Sequence, residues 1–269
     1  MRLIAVREVV EREFLTVLRT PAYWVLAAGT VALVGGLTWL GGPSGYLPLV
    51  LDLTTPLEAM VPVVAFAFGY RAILGDRERG ELETIRSYPV SAAEFVVGVF
   101  LGRAVAVVGV LVTALGFAGA MVPLTGGGDP RTVAAHATAD TPVVFLRLVV
   151  LVAAFAVVAL ALAVLVSATA RSVRSGLVLA TLLVVVLVVG VDAALVAGLT
   201  GGLLSPEATT LLSALSPNSA FRSLVFGLAV APVGAVDVPS GPGALPAGLG
   251  LLAWLAGSLA AAALLAWQR

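Results

Sequence analysis

Continuous apolar stretches about 18–28 residues long recur along this 269-residue chain, separated by short polar punctuation. They cover about 22–40, 57–74, 95–123, 142–168, 176–198 and 246–267. Barrel strands alternate apolar and polar positions in segments of about ten, whereas unbroken runs of this length are membrane-spanning helices. The pattern predicts an all-α polytopic membrane protein of six spans, forming a single domain. Residues 2–20 differ: Leu3, Val6, Val10, Phe14 and Val17 recur at three-to-four spacing, and Arg7/Glu11 and Glu8/Arg12 are i,i+4 pairs. Thr20-Pro21 breaks this segment before the first span, which predicts an amphipathic helix in the membrane interface. Tyr23, Trp24 and Trp39 bracket span one as an aromatic belt does. Thr55-Pro56 reads as the start of span two, with Glu58 favoured by the helix dipole and Pro62 as a kink.

Local punctuation adds detail. Ser91-Ala92-Ala93-Glu94 is a capping box ahead of span three, and Gly98/Gly102 form a GxxxG surface for close helix packing. Thr141-Pro142 caps span four. Between spans five and six, Ser205-Pro206-Glu207 and Ser216-Pro217-Asn218 each open a segment with a cap residue and Pro at the first helical position. At about 9 and 14 residues these segments are too short to cross, so the region 203–232 is expected to hold re-entrant or interfacial helices.

Composition narrows the function. The chain is 60% hydrophobic and 11% charged, with mean hydropathy +1.11. It has no Cys and no Lys, so all 15 basic residues are Arg. A P-loop, a Schiff base and a thiolate nucleophile are thereby excluded. No HExxH or GxSxG is present, and one His with three Met offers too few soft ligands for copper. No metal or cofactor is expected on this chain, and zero net charge gives no footprint for nucleic acid. The N-terminal segment is too charged for a signal peptide. Twelve of the fifteen arginines fall on the side of both termini, against Arg131, Arg147 and Arg222 on the other, which predicts cytoplasmic termini by the positive-inside rule.

Charge is concentrated between spans two and three, at Asp76-Arg77-Glu78-Arg79-Gly80-Glu81-Leu82-Glu83 within a loop at about 75–91. Leu82 and Ile85 sit i,i+3 on one face of a short helix that Pro89 stops. So dense an island implies an aqueous partner. A second basic turn, Arg171-Ser172-Val173-Arg174, lies on the same side. Apart from Glu58 at the start of span two, Asp192 is the one acid that could lie within a span, near its outer end, and is a functional candidate on that ground. Asn218, Phe221 and Arg222 open the second short segment and are candidates for an outer gate. His136 stands alone in an outer loop.

The island is followed by Pro89-Val90-Ser91 and then Phe100-Leu101-Gly102-Arg103. This succession resembles the E-R-E-R-G-T-L-E, P-V-S and F-L-G-R pattern of permease subunits of type-two ABC exporters, and is most similar to the subgroup associated with nitrous oxide reductase maturation. Ala92, Val99, Arg86 and Tyr88 depart from the family's usual residues. The resemblance implies that Arg77, Glu78, Arg79, Gly80, Glu81, Leu82, Glu83 and Ile85 form a coupling helix seated in a separate ATP-binding subunit. Arg171 and Arg174 would be a secondary contact. It further implies two ATPase copies carrying ATP and Mg, a second permease copy (identical or a sister), a plasma-membrane location, and export. An ion- or proton-coupled secondary transporter and a non-transporting assembly scaffold remain the alternatives.

Overall fold

A computed structural model describes residues 2–125, 140–234 and 241–268. Arg131, His136, Arg269 and the Gly126–Pro130 turn lie outside the described residues. The described chain is helical throughout: α1 Arg2–Arg19, α2 Pro21–Gly41, α3 Tyr46–Gly69, α4 Leu74–Glu78, α5 Glu81–Arg86, α6 Ala92–Thr125 and α7 Pro142–Thr169. Then follow α8 Val173–Val185, a π-helical turn Val186–Gly190, and α9 Val191–Thr200. The last elements are α10 Pro206–Leu215, α11 Pro217–Leu224 with a π-helical extension Val225–Val230, and α12 Ala244–Ala266. Among the described residues, six stretches are long and apolar enough to cross a membrane: Pro21–Gly41, Tyr46–Glu78, Ala92–Leu124, Pro142–Thr169, Val173–Thr200 and Ala244–Ala266.

α7 is the hub of the bundle. It packs on α3, α12 and α6, and buries Leu148, Val152, Phe155 and most of the run from Val158 to Ala168. Its approach to α3 is close because Gly69 lies where a Cβ would meet Ala163 Cβ at 2.5 Å. Small residues at helix contacts are how apolar helices gain packing energy in a solvent as apolar as themselves. By contrast α2 and the α8–α9 span leave Val25, Leu40, Val178, Leu182 and Val189 exposed, as lipid-facing surfaces do.

One expectation changes. α3 begins at Tyr46, and Thr55-Pro56 lies inside it with Pro62. The helix starts where it does because the Asp140 carboxylate accepts the Tyr46 and Leu47 amides at 3.0 and 2.7 Å, satisfying two of its orphan donors. Glu58 is therefore a buried mid-helix residue and not a first-turn acid. The N-terminal helix, expected to lie in the interface, is docked along the first turns of α6. A Cβ at Gly98 would meet Val9 Cβ at 2.6 Å, and one at Gly102 would meet Glu13 Cβ and the Val10 carbonyl at 2.7 Å. The GxxxG surface is thus the seat of α1.

Candidate functional site

The charged island is built from two short helices hung beneath α3. After the turn at 70–73, the Ser167 hydroxyl of α7, fully buried, accepts the Ile73 and Leu74 amides at 2.9 and 3.0 Å. That supplies from a neighbouring helix the cap that α4 lacks in its own sequence. Gly80, at φ +72°, turns the chain between α4 and α5 in the left-handed region where a side chain would be strained. The Ser91–Glu94 capping box then starts α6: Glu94 Oε2 accepts the Ser91 amide at 2.8 Å, and Ser91 Oγ accepts the Glu94 amide at 3.3 Å.

A chain of ion pairs runs from the island into the bundle. Arg79 donates to Asp76 at 2.6 Å, and Asp76 accepts from Arg12 of α1 at 2.6 Å. Arg12 also donates to Glu13 at 2.7 Å, and Glu13 accepts from Arg103 of α6 at 3.0 Å. Arg103 also donates through Nη1 to the Tyr23 hydroxyl, at 3.2 Å, and to the Phe68 carbonyl. Glu13, Asp76 and Arg103 are 2, 2 and 5% exposed, so this is an internal network and not a set of surface pairs. Isolated buried charges are costly, and alternation of sign along the chain is what makes it tolerable. Burial works against the Arg12 charge, but Asp76 and Glu13 outweigh it and hold its pKa above the usual value. At the exposed end, hydrogen bonding from Arg79 holds Glu81 below the ordinary carboxylate value, and the same bond raises Arg79.

A second set of contacts ties the island to the α7–α8 turn. Arg77 donates to the Ala170 and Ala168 carbonyls at 3.0 and 3.3 Å. Glu78 accepts the Val173 amide at 2.8 Å, with Arg71 beside it at 3.7 Å. Arg171 and Arg174 are exposed next to this clamp, so both basic loops form one continuous surface. Glu81, Glu83 and Arg86 point outward, and Arg86 lies 5.8 Å above the Trp267 ring. Leu82 departs from expectation: it is 4% exposed and belongs to the chain's own core, because α5 turns its apolar face inward. Ile85 is half-buried against the same core.

The outer candidates also converge. Arg222 donates through Nε to Glu58 at 2.7 Å and through Nη2 to the second Glu58 oxygen, a bidentate pair. Asp192, at the start of α9 after the π-helical turn, accepts from Ser219 and Ser216 hydroxyls at 2.7 and 3.2 Å and lies 3.4 Å from Arg222. Phe221 is fully buried, stacked on Phe155 at 4.7 Å. Asn218 is 1% exposed, and its side-chain oxygen and nitrogen have no hydrogen-bond partner. Glu58 was missing from the sequence-based set because it reads as a helix-start acid. The roles of Arg12, Glu13 and Asp76 in the ion-pair chain were not readable because their partners lie on other elements.

Among the described residues, no group of three or more His, Asp or Glu could hold a metal. The remaining chemistry is that of a membrane-embedded helical bundle with a braced charged platform at one end. Comparison with known proteins agrees. A 110-residue stretch is 30% identical to the probable ABC transporter permease protein NosY of Pseudomonas aeruginosa, covering 38% of this chain and 39% of that protein. The family model described as ABC-2 family transporter protein matches residues 7–266. This transmembrane chain therefore belongs to the ABC-2 family of transporter permeases.

Proposed function

We propose that the chain is the permease subunit of an ATP-driven transporter, and that the α4–α5 island with the Arg171–Arg174 turn docks a separate ATP-binding subunit. The observation that carries this reading is the internal ion-pair chain beneath the island. A polar loop needed only for topology has no use for buried pairs to α1 and α6 and a backbone clamp to α7–α8. A platform that must pass force into the spans does. Glu81, Glu83, Arg86, Arg171 and Arg174 give the exposed charges for an orienting rim. Ile85 and Tyr88 supply the apolar contact in place of the inward-facing Leu82.

In this reading two ATP-binding subunits carry ATP and Mg, and a second permease copy (identical or sister) completes the path. The island and both termini face the cytoplasm, and the complex exports across the plasma membrane. Asp192 and Arg222 line the outer part of the path, with Glu58, Asn218 and Phe221 packed behind them. The test is purification of the tagged chain in mild detergent from its native host, with mass spectrometry and an ATPase assay. A stoichiometric P-loop subunit with vanadate-sensitive turnover is expected. Glu83→Arg, exposed and outside the internal network, is expected to abolish that association while leaving the permease intact. Normal association in the variant would remove the docking assignment. One observation favours an ion-coupled transporter instead, the buried Glu58 at mid-helix; ion-dependent transport without any ATPase, lost in Glu58→Gln, would select it.

A further inference from the structure

The short helix α11 is built into the bundle and not laid upon it. Pro217, Asn218, Ala220, Phe221 and Leu224 are all buried. At eight residues it is far too short to cross, so its contacts alone hold it at that depth. Two carboxylates from different elements form a latch. Glu58 of α3 accepts both arms of the Arg222 fork. Asp192 of α9 accepts the Ser219 and Ser216 hydroxyls at 2.7 and 3.2 Å and stands 3.4 Å from Arg222. The Phe221 ring, stacked on Phe155 at 4.7 Å, seats α11 on α7.

Asn218 works against this seat. It lies one turn before Arg222 and, around the helix, between Arg222 and Phe221. It is 1% exposed, and neither its side-chain nitrogen nor its oxygen meets a protein hydrogen-bond partner. An amide buried in that way costs roughly a decade or more in the equilibrium that buries it, whereas an apolar side chain of the same shape costs nothing there. The rest of α11 holds a position that this one residue opposes. Both partners in the latch also adjoin a π-helical turn. Val186–Gly190 ends two residues before Asp192, and Val225–Val230 begins three residues after Arg222. Turns of this kind are where a helix bends or changes register. The span that carries Asp192, Val173–Thr200, is the least buried of the six, so little packing opposes its movement.

We propose that α11 is a plug that opens by withdrawing from α3 and α7, and that Asn218 biases it toward opening. Seated, the plug is held by Glu58, Asp192 and Phe155. Withdrawn, Asn218 gains from water the hydrogen bonds that it lacks in the bundle. Its cost in the seated state keeps the two states close in free energy, so a modest bias shifts the balance. That bias reaches the latch through α3, which carries Glu58 and leads directly into the charged island. The plug rests on the reading that Asp192 and Arg222 line the outer part of the path. Its test needs no ATP-binding subunit, so its failure leaves the docking assignment standing.

The chain has no cysteine, so Ala220→Cys, at a fully buried position of α11, provides a single thiol that a charged methanethiosulfonate reaches when α11 withdraws. The full-length chain is labelled in mild detergent. Asn218→Leu keeps the branching of the side chain, and Asn218→Val is the smaller alternative should Leu overpack the site. In this background at least one of them should slow labelling about tenfold, because the cost of seating is gone. Glu58→Gln, which weakens the latch, should speed labelling about tenfold. Hydrogen exchange of the α11 amides in chains without the thiol should move in the same directions, with α6 unchanged, and gives an independent reading if Ala220→Cys disturbs the helix. Labelling at the parent rate in both Asn218 variants overturns the proposal, since the seated plug then bears no cost at Asn218. Faster labelling in both overturns it too, since the amide is then satisfied by water held in the bundle and braces α11. A thiol that stays unreactive even with Glu58→Gln means that α11 does not withdraw, which equally overturns it.

Discussion

Glu13→Gln is the most direct probe of the ion-pair chain. Gln is nearly isosteric, so the change removes a charge without opening a cavity. Arg103, 5% exposed, would then face only neutral oxygens (the introduced amide, the Tyr23 hydroxyl and the Phe68 carbonyl), and Arg12 would keep Asp76 as its one charged partner. Removing one partner of a buried pair costs about 3–5 kcal/mol, because the other charge stays desolvated. That cost falls on the docking of α1 to α6, which the Glu13–Arg103 bond pins. At about 1.4 kcal/mol per decade, the population of undocked α1 should rise a hundredfold or more. The chain has no cysteine, so Val17→Cys, on a side chain 4% exposed, provides a single thiol that maleimide reaches only when α1 lifts. The labelling rate should rise by that factor in Glu13→Gln and fall back at least tenfold when Arg103→Met is added, since removing both charges abolishes the stranded one. Labelling unchanged by Glu13→Gln, or a double variant worse than either single one, would refute the view that the network holds α1 in place.

Further outcomes follow from the same geometry. Gly98→Val should lower the melting temperature in detergent through a steric cost of about 1–3 kcal/mol, since its Cβ would stand 2.6 Å from Val9 Cβ; Gly116→Val, with open space around it, should not. Glu58→Gln should loosen α11 by about 1–2 kcal/mol, less than a fully buried pair because the Arg222 side chain is 45% exposed, and should speed proteolysis at the exposed Gly201–Leu203 turn. Ser167→Ala should strand two buried amides at about 1–3 kcal/mol and reduce any coupling of ATPase turnover to transport. The Arg79–Glu81 pair is stabilising above the ordinary Glu value of 4.5 and is lost as pH falls through the lowered one; Glu81→Gln should flatten that acid limb of the melting profile by a small amount, because the pair is exposed.

The parts of this architecture that are legible in sequence are those written locally. Six apolar runs announce themselves by length, because a bilayer forbids shorter solutions. The caps at Ser91, Ser205 and Ser216 are read from residues within one turn, and all three make cap hydrogen bonds in the structure. The GxxxG of Gly98 and Gly102 signals a close contact but not its partner, since α1 lies some ninety positions away. Thr55-Pro56 carries the same local signature as a true start; only Asp140, distant in sequence, decides for Tyr46. Asp192, Asn218, Phe221 and Arg222 were recognisable singly as polar or aromatic residues at odd places. The pairing of Arg222 with Glu58 was not, because it spans 164 positions. Leu82 was misplaced for a related reason: an i,i+3 apolar pair says that a helix has an apolar face, not which way the face turns.

The length of α6 has a mechanical consequence. Its 34 residues make a rod about 51 Å long, whereas a hydrocarbon core of about 30 Å, even crossed at a 40° tilt, takes up only about 39 Å of it. At least ~12 Å of the rod stands clear of the core, and α1 is strapped to its first turns. Such an overhang is a lever. A 10° rock of α6 about its entry point would sweep the tip by about 2–4 Å for an overhang of 12–21 Å. A displacement of that size at the platform is enough to make or break the Arg12–Asp76 pair, which joins α1 to the island. A small angular change inside the bundle and a large translation outside it are thereby the same motion, read at opposite ends of one helix.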